Sequence, residues 1–332
     1  MKAAVAGLGS MGRNHARVWA EMPGVELVGV ADPAEAALAA FTRGRRVEGF
    51  SSVAAMLDRV RPDVLSVATP TGQHEETVAA AAAAGIHVLV EKPVAPDVAG
   101  ALRVAELARK AGVVAMVGHV ERFNPALLEL RRRLAAGQVG EIFQLVARRV
   151  GPFPPRIRDV GVVQDLATHD LDQARHLLQR EVEVVFAQTA RRVHTRYEDL
   201  VSIVGRAQGG AVLNFEINWL SPRKVRETVV IGEGGMFVAD SLTQDLFLFE
   251  NNWEEGSWRL LQTLRGVSEG NMVRFALHRV EPLRAELEAF VESVTRGAPP
   301  ACTLDDGIQA LRLAEATLRS ARDGVPVSLL PA

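Results

Sequence analysis

Lys2-Ala3-Ala4-Val5-Ala6-Gly7-Leu8-Gly9-Ser10-Met11-Gly12 sets a short apolar run, a G-x-G-x-x-G loop and the start of a helical segment in direct succession. That context gives the motif its force, because the same glycines elsewhere would predict only a tight turn. Gly7 permits the turn, Gly9 lets the backbone approach a pyrophosphate, and Gly12 lets helix and strand pack closely. Ser10 and Met11 then lie at a helix N-terminus, whose unpaired N–H groups and positive dipole end suit phosphate. The run Leu27-Val28-Gly29-Val30-Ala31 ends at Asp32, about 20 residues on, where a carboxylate can accept hydrogen bonds from ribose hydroxyls. A dinucleotide is expected, and Asp32 favours NAD. NADP is the less favoured cofactor, although Arg43, Arg45 and Arg46 lie downstream and are able to hold a ribose phosphate.

Outward from this loop, the first 118 residues alternate short β-branched runs with alanine-rich helical runs, the pattern of parallel βαβ units. Strands are expected at Lys2–Ala6, Glu26–Ala31, Val64–Ala68, His87–Val90 and Val113–Val117. Helices are expected at Met11–Met22, Ala34–Arg43, Ser52–Val60, His74–Ala84 and Val98–Ala111. From residue 119 the rhythm changes. Helical stretches at Pro125–Ala136 and Val163–Leu178 accompany alternating segments at Ile142–Arg149, Val182–Thr189, Asp199–Ala207, Ala211–Leu220 and Lys224–Ile231. Gly209-Gly210 and Gly232–Gly235 read as turns between strands. Glu281–Thr295 and Asp305–Arg322 close the chain as amphipathic helices. The fold class is α/β: a Rossmann dinucleotide-binding domain over 1–118, then an α+β domain over 119–332 on an open, mostly antiparallel sheet.

Composition narrows the function. A 332-residue chain with 48% hydrophobic and 23% charged residues has enough core to fold without staples. A net charge of −2 supplies no basic field for nucleic acid or anionic membrane. The alanine run Val78–Ile86 is far shorter than the roughly 20 apolar residues of a membrane span. One cysteine, Cys302, and no Cys/His pairs at zinc spacing point to a reducing, cytoplasmic setting without a structural metal. Trp219, Trp253 and Trp258 are expected to anchor the core or a subunit interface. His15, His87, His176, His194 and His278 read as surface or packing residues.

Two further stretches carry chemistry. Glu91-Lys92-Pro93 follows the strand expected at His87–Val90, so Lys92 stands just beyond a strand carboxyl end, where open α/β sheets place their ligands. A lysine there can polarise a hydroxyl or move a proton, or it can be a solvated surface group. Asp165-Leu166-Ala167-Thr168-His169 puts an acid and an imidazole at i and i+4 of a helical segment, on one face. Histidine suits a general base near neutrality. An Asp–His pair that merely solvates a surface has the same spacing.

Gly7–Gly12, Ala68-Thr69-Pro70-Thr71-Gly72-Gln73-His74, Glu91-Lys92-Pro93 and the Asp165–His169 spacing together resemble the glucose–fructose oxidoreductase, inositol dehydrogenase and rhizopine-catabolism (Gfo/Idh/MocA) family. The likeness spans nearly the whole chain, through Thr303-Leu304-Asp305-Asp306-Gly307. It implies an NAD(P)-dependent dehydrogenase acting on a small molecule and assembling as a homodimer or homotetramer. Lys92, Asp165 and His169 would be catalytic, and Thr69, Pro70, Thr71, His74 and Glu91 would join the cofactor site. Gly118–Pro125 and Arg148–Gly161 are similar to the subgroup of UDP-N-acetylglucosamine 3-dehydrogenases. On that likeness Arg122, Asn124, Arg149, Arg156 and Arg158 are expected to face substrate. The arginines would clamp a diphosphate through bidentate contacts, or pair internally. Asn124 would bind a sugar hydroxyl or cap the helix that Pro125 starts. The expected reaction is oxidation of a secondary hydroxyl, foremost carbon 3 of a UDP-hexosamine. A free inositol or aldose, or a non-catalytic NAD(H)-responsive binding role, remain alternatives.

Overall fold

A computed structural model of the chain describes residues 1–154, 160–194, 196–252 and 268–329. The chain divides into two compact units, Met1–Val120 with Glu281–Arg312 and Glu121–Val280 with Leu313–Ala332. A single boundary after residue 118 therefore misses the return of Glu281–Arg312 to the first unit.

The first unit runs β1 (Lys2–Ala6), α1 (Ser10–Glu21), β2 (Glu26–Ala31), α2 (Glu35–Thr42), β3 (Glu48–Phe50), α3 (Val53–Val60), β4 (Val64–Val67), α4 (His74–Ala83), β5 (His87–Glu91), α5 (Val98–Ala111) and β6 (Ala115–Gly118). Its six strands lie in the order β3-β2-β1-β4-β5-β6, all parallel. This is the doubly wound arrangement, in which the order reverses between β1 and β4. Burial on both faces explains the near-continuous apolar strands: every residue of β4 is buried. Ser52 and Asp97 cap α3 and α5 by accepting from Ala55 N and Gly100 N. The loops after β1, β4 and β5 all leave the carboxyl edge of the sheet.

The second unit holds α6 (Pro125–Ala135), β7 (Ile142–Val150), α7 (Thr168–Leu178), β8 (Val182–Ala190), β9 (Leu200–Ala207), β10 (Val212–Asn218), β11 (Val225–Gly232), β12 (Gly235–Asp240), β13 (Asp245–Asn252) and β14 (Ser268–Arg274). After α8 (Pro282–Arg296) in the first unit, α9 (Leu304–Asp323) begins there and ends in the second unit, followed by β15 (Val327–Ser328). The nine strands are ordered β14-β13-β12-β11-β7-β10-β9-β8-β15, with β7 and β10 parallel and every other pairing antiparallel. Strict alternation turns Leu145, Ala147, Ile203, Phe215 and Phe237 inward, into one core with Leu127, Leu130, Leu171 and Leu313. Each fully buried large aliphatic side chain contributes about 1.5–3 kcal/mol. Gly209 and Gly210, both at positive φ, make the β9–β10 turn. No helix among the described residues is long and apolar enough to cross a membrane.

Candidate active site

The loop between β1 and α1 has the geometry that its glycines require. Gly7 sits at φ 90°, and a Cβ there would lie 2.4 Å from the carbonyl oxygen of Ala68. A Cβ on Gly12 would lie 1.8 Å from the Gly7 oxygen, so these two positions close the turn and seat the helix. Gly9 has open space where its side chain would be, which leaves the backbone approachable. No side chain caps α1 and no acidic residue occupies its first turn, so its N–H groups and dipole remain available to an anion. Asp32, half-buried at the end of β2, accepts from Leu8 N at 2.7 Å and Ala34 N at 2.8 Å. Those bonds orient the carboxylate and leave it lone pairs for further donors. Thr69 Oγ1, in the loop after β4, is buried with no hydrogen-bond partner. An open glycine backbone, an uncapped helix, an oriented acid and an orphaned hydroxyl fit a dinucleotide.

His74 opens α4, facing the Thr69 oxygen from Nε2 at 2.9 Å and the Pro93 and Val94 oxygens from Nδ1 at 3.1 and 3.2 Å. It thereby ties the loop after β4 to the segment after β5. Burial holds its imidazole below the usual histidine range, against the carbonyls and Glu91, which act the other way. Lys92 is half-buried, and the Lys92–Pro93 peptide is cis. Glu91 is buried behind it, its carboxylate accepting from Lys92 N at 3.3 Å. A Cβ on Gly118 would come within 3.1 Å of that carboxyl group, so glycine at the end of β6 makes room for Glu91. Burial pushes Glu91 upward, but His15, Lys92 and His74 outweigh it and hold the acid below its ordinary value.

In the second unit, the turn that carries Asp165 is wound more loosely than the expected α-helix. Val163–Ala167 forms a π-helical turn that runs straight into α7, where His169 lies in the first turn. Such turns recur at functional sites. The segment's start is fixed from Glu198: Val162 N donates to its carbonyl at 2.9 Å and Val163 N to its carboxylate at 3.1 Å. Gly161 is needed beside it, since a Cβ would lie 2.0 Å from that carboxylate. Asp165 and His169 are both half-buried.

Three expected substrate contacts are corrected. Arg122 is 6% exposed and forks onto Asp172, Nε to Oδ2 at 2.7 Å and Nη2 to Oδ1 at 2.5 Å. Arg149 is 4% exposed and bonds Asp170 through Nε at 2.7 Å and Glu121 through Nη1 at 2.8 Å. Asn124 is 3% exposed, caps α6 by accepting from Ala126 N at 3.0 Å, and donates to the Ser241 oxygen at 2.9 Å. These side chains hold the second unit together. Burial raises Asp170 above the usual carboxylate range despite Arg149. At Glu121 burial also pushes upward, but Arg149, Arg226 and Lys224 outweigh it and keep the carboxyl low. Residue type and spacing gave no sign of the acids Glu121, Asp170, Asp172 and Glu198 in these roles. Arg156, Arg158, Trp253 and Trp258 lie outside the described residues.

Known proteins align with this arrangement along its length. Residues 1–119 match the profile of an oxidoreductase family with an NAD-binding Rossmann fold, and residues 127–238 match the GFO/IDH/MocA C-terminal domain. The chain is 30% identical to the UDP-N-acetylglucosamine 3-dehydrogenase of Acidithiobacillus ferrooxidans, over 96% of both chains. A solved structure of that enzyme superposes with a TM-score of 0.84 at 28% identity, covering 97% of this chain and 98% of the other. The inositol 2-dehydrogenase of Streptomyces avermitilis is also 30% identical, over 99% of this chain and 94% of its own.

Proposed function

Because the chain belongs to the GFO/IDH/MocA family of oxidoreductases with an NAD-binding Rossmann domain, we propose that it oxidises carbon 3 of the hexosamine in a UDP-sugar such as UDP-N-acetylglucosamine to a ketone. The reading is carried by the open, uncapped Gly7–Gly12 cradle within a full-length likeness to a UDP-N-acetylglucosamine 3-dehydrogenase. Gly7, Gly9, Ser10, Met11 and Gly12 hold the pyrophosphate, Asp32 the adenosine ribose, and Thr69, Pro70 and Thr71 line the rest of the cofactor site, while the buried His74 and Glu91 support its loops from behind. NAD is favoured over NADP, because the Asp32 carboxylate would face a 2′-phosphate. Arg45, one of the basic residues downstream of β2, packs its guanidinium 4.6 Å from the centre of the Phe41 ring. When bound, NAD supplies the hydride acceptor. His169 removes the hydroxyl proton, Lys92 stabilises the developing alkoxide through its positive charge, and Asp165 orients and tunes His169.

Arg156 and Arg158 are proposed to contact the diphosphate. Arg226 joins them on a structural ground: its Nη1 donates to the Val150 and Val225 oxygens, while Asp165 is among the acids acting on its charge. The test follows reduced nicotinamide by absorbance while purified protein and NAD meet a panel of UDP-sugars and polyols. Turnover of UDP-N-acetylglucosamine, with its KM raised by Arg156→Glu, Arg158→Glu or Arg226→Met, is expected. Turnover of polyols alone, insensitive to these changes, would establish the second reading, a free inositol, which the equal identity to an inositol 2-dehydrogenase favours.

We propose further that a second copy of the chain covers the outer face of the nine-stranded sheet, in a homodimer or homotetramer. Register places Phe186, Val204, Val146, Val229, Val238 and Phe247 on that face, with Asn214 in the same row, and Val204 is 52% exposed. An apolar row of this length on an open sheet marks an association surface. Val204→Glu is expected to yield monomers in light scattering. The single, buried Cys302 agrees with a reducing cytoplasm.

A further inference from the structure

Behind the Glu91–Lys92 turn, the first unit buries two carboxyl groups and an imidazole together. His15 of α1, Glu91 of β5 and Glu286 of α8 each bring one N or O atom within 4.8 Å of the other two, and His15 and Glu286 are 0% exposed. One side of the cluster is saturated. Trp19 Nε1 donates to Ser66 Oγ at 2.8 Å, which leaves the serine hydrogen for His15 Nδ1 at 3.1 Å. That places the imidazole hydrogen on Nε2, 2.8 Å from Glu91 Oε1. The other side is not saturated, because neither carboxyl oxygen of Glu286 has a hydrogen-bond partner.

Two carboxylates buried this close resist carrying charge together, and the group with no donor is the one that keeps its proton to higher pH. Burial first, and then the Glu91 charge, raise Glu286 well above the ordinary carboxylate range. The charged and titratable groups acting on Glu91 are His15, Lys92, His74 and Glu286. Arg17 of α1 is turned away to Glu21 and Glu281.

We propose that Glu286 is a positioning residue for Lys92, acting through Glu91: it closes a buried His15–Glu91–Glu286 cluster that holds one negative charge behind the lysine while Glu286 keeps its proton, and two once it is lost. The proposal rests on the reading that Lys92 serves the reaction. While the cluster is singly charged, it balances one ammonium. A second charge would hold the Lys92 proton more tightly and leave the lysine less able to exchange it.

The chain has four lysines, at positions 2, 92, 110 and 224, so Lys92 can be followed alone. Full-length protein carrying lysine labelled with carbon-13 at Cε is titrated by NMR, with Lys92 assigned as the resonance lost in Lys92→Arg. Wild-type Lys92 is expected to show two inflections, the first as Glu286 ionises. Glu286→Gln, equal in size but with no proton to lose, should remove the first inflection and lower the second by about half a pH unit or more. Glu286→Met should remove the first likewise. In parallel, the melting temperature of Glu286→Gln relative to wild type should climb with pH, since only the wild type must retain a proton to fold. Identical one-step titrations, or a melting difference that ignores pH, would overturn the proposal. So would one equivalent of zinc in the wild type that is lost in Glu286→Gln, because an ion would then stand where the proton does. Full turnover by Lys92→Ala would instead remove the catalytic reading of Lys92, and the titration would still report on Glu286.

Discussion

The two units bury charge in opposite ways. In the second, Arg149 lies between Asp170 and Glu121 and Arg122 forks onto Asp172, so each of these acids meets a guanidinium. In the first, Glu91 meets one imidazole, and Glu286 beside it has no hydrogen-bond donor. Paired ions fix geometry, and removing one partner leaves the other stranded, which makes such a network a frame. A cluster short of donors has no comparable structural use, and its charge depends on protons. Asp170 and Asp172 of the frame lie on α7, the helix that also carries His169, and the labile cluster includes Glu91, next in the chain to Lys92.

The largest effects should separate chemistry from framework. Lys92→Ala and His169→Ala are each expected to lower turnover by about 10²–10⁴-fold with NAD affinity nearly unchanged, measured by steady-state kinetics and by titration calorimetry. Retained turnover in both would break the contrast on the functional side. Arg149→Met is expected to cost about 3–5 kcal/mol of folding stability, read from denaturant unfolding, because Asp170 and Glu121 lose their shared cation. A loss under 1 kcal/mol would mean that the arginine is not holding the frame.

A smaller effect concerns His74. Its imidazole binds protons less readily in the folded protein than in the unfolded chain, where the value is about 6.5. The unfolded state therefore takes up more protons as the pH falls through that range. Stability from this residue is complete above about pH 6.5 and declines below it. The melting temperature should drop by a few degrees between about pH 7.5 and 5.5, and His74→Gln should flatten the slope. An unaltered slope would assign the pH dependence to other groups.

What the sequence discloses follows from how local each signal is. The phosphate loop is a continuous stretch whose strand, turn and helix are neighbours in the chain, and it folds as its glycines require. Strands β7 to β11 announce themselves through alternation, because one face meets the core and the other does not. Strand β3, Glu48-Gly49-Phe50, is too short and has too little β-branching to register. Strand β13 ends in Glu250-Asn251-Asn252, residues that suit a loop as well as a strand. The loosened turn at Asp165 leaves no mark on periodicity, since it depends on Glu198 and Gly161. Arginines suffer most: nothing local distinguishes Arg122 and Arg149, which meet acids inside the fold, from arginines that await an anion. Glu286 reads as one more polar residue on an amphipathic helix, because its neighbours His15 and Glu91 come from distant parts of the chain.

The return of Glu281–Arg312 to the first unit, followed by Leu313–Ala332 in the second, interleaves the two units along the chain. During translation, α8 leaves the ribosome only after the roughly 160 residues that separate it from Val120, a wait of about 10–30 s at ordinary elongation rates. Until then His15 and Glu91 lie on a nascent surface lacking the helix that bears Glu286. A chaperone that engages early chains should therefore find the N-terminal segment open for longer than its position in the gene suggests.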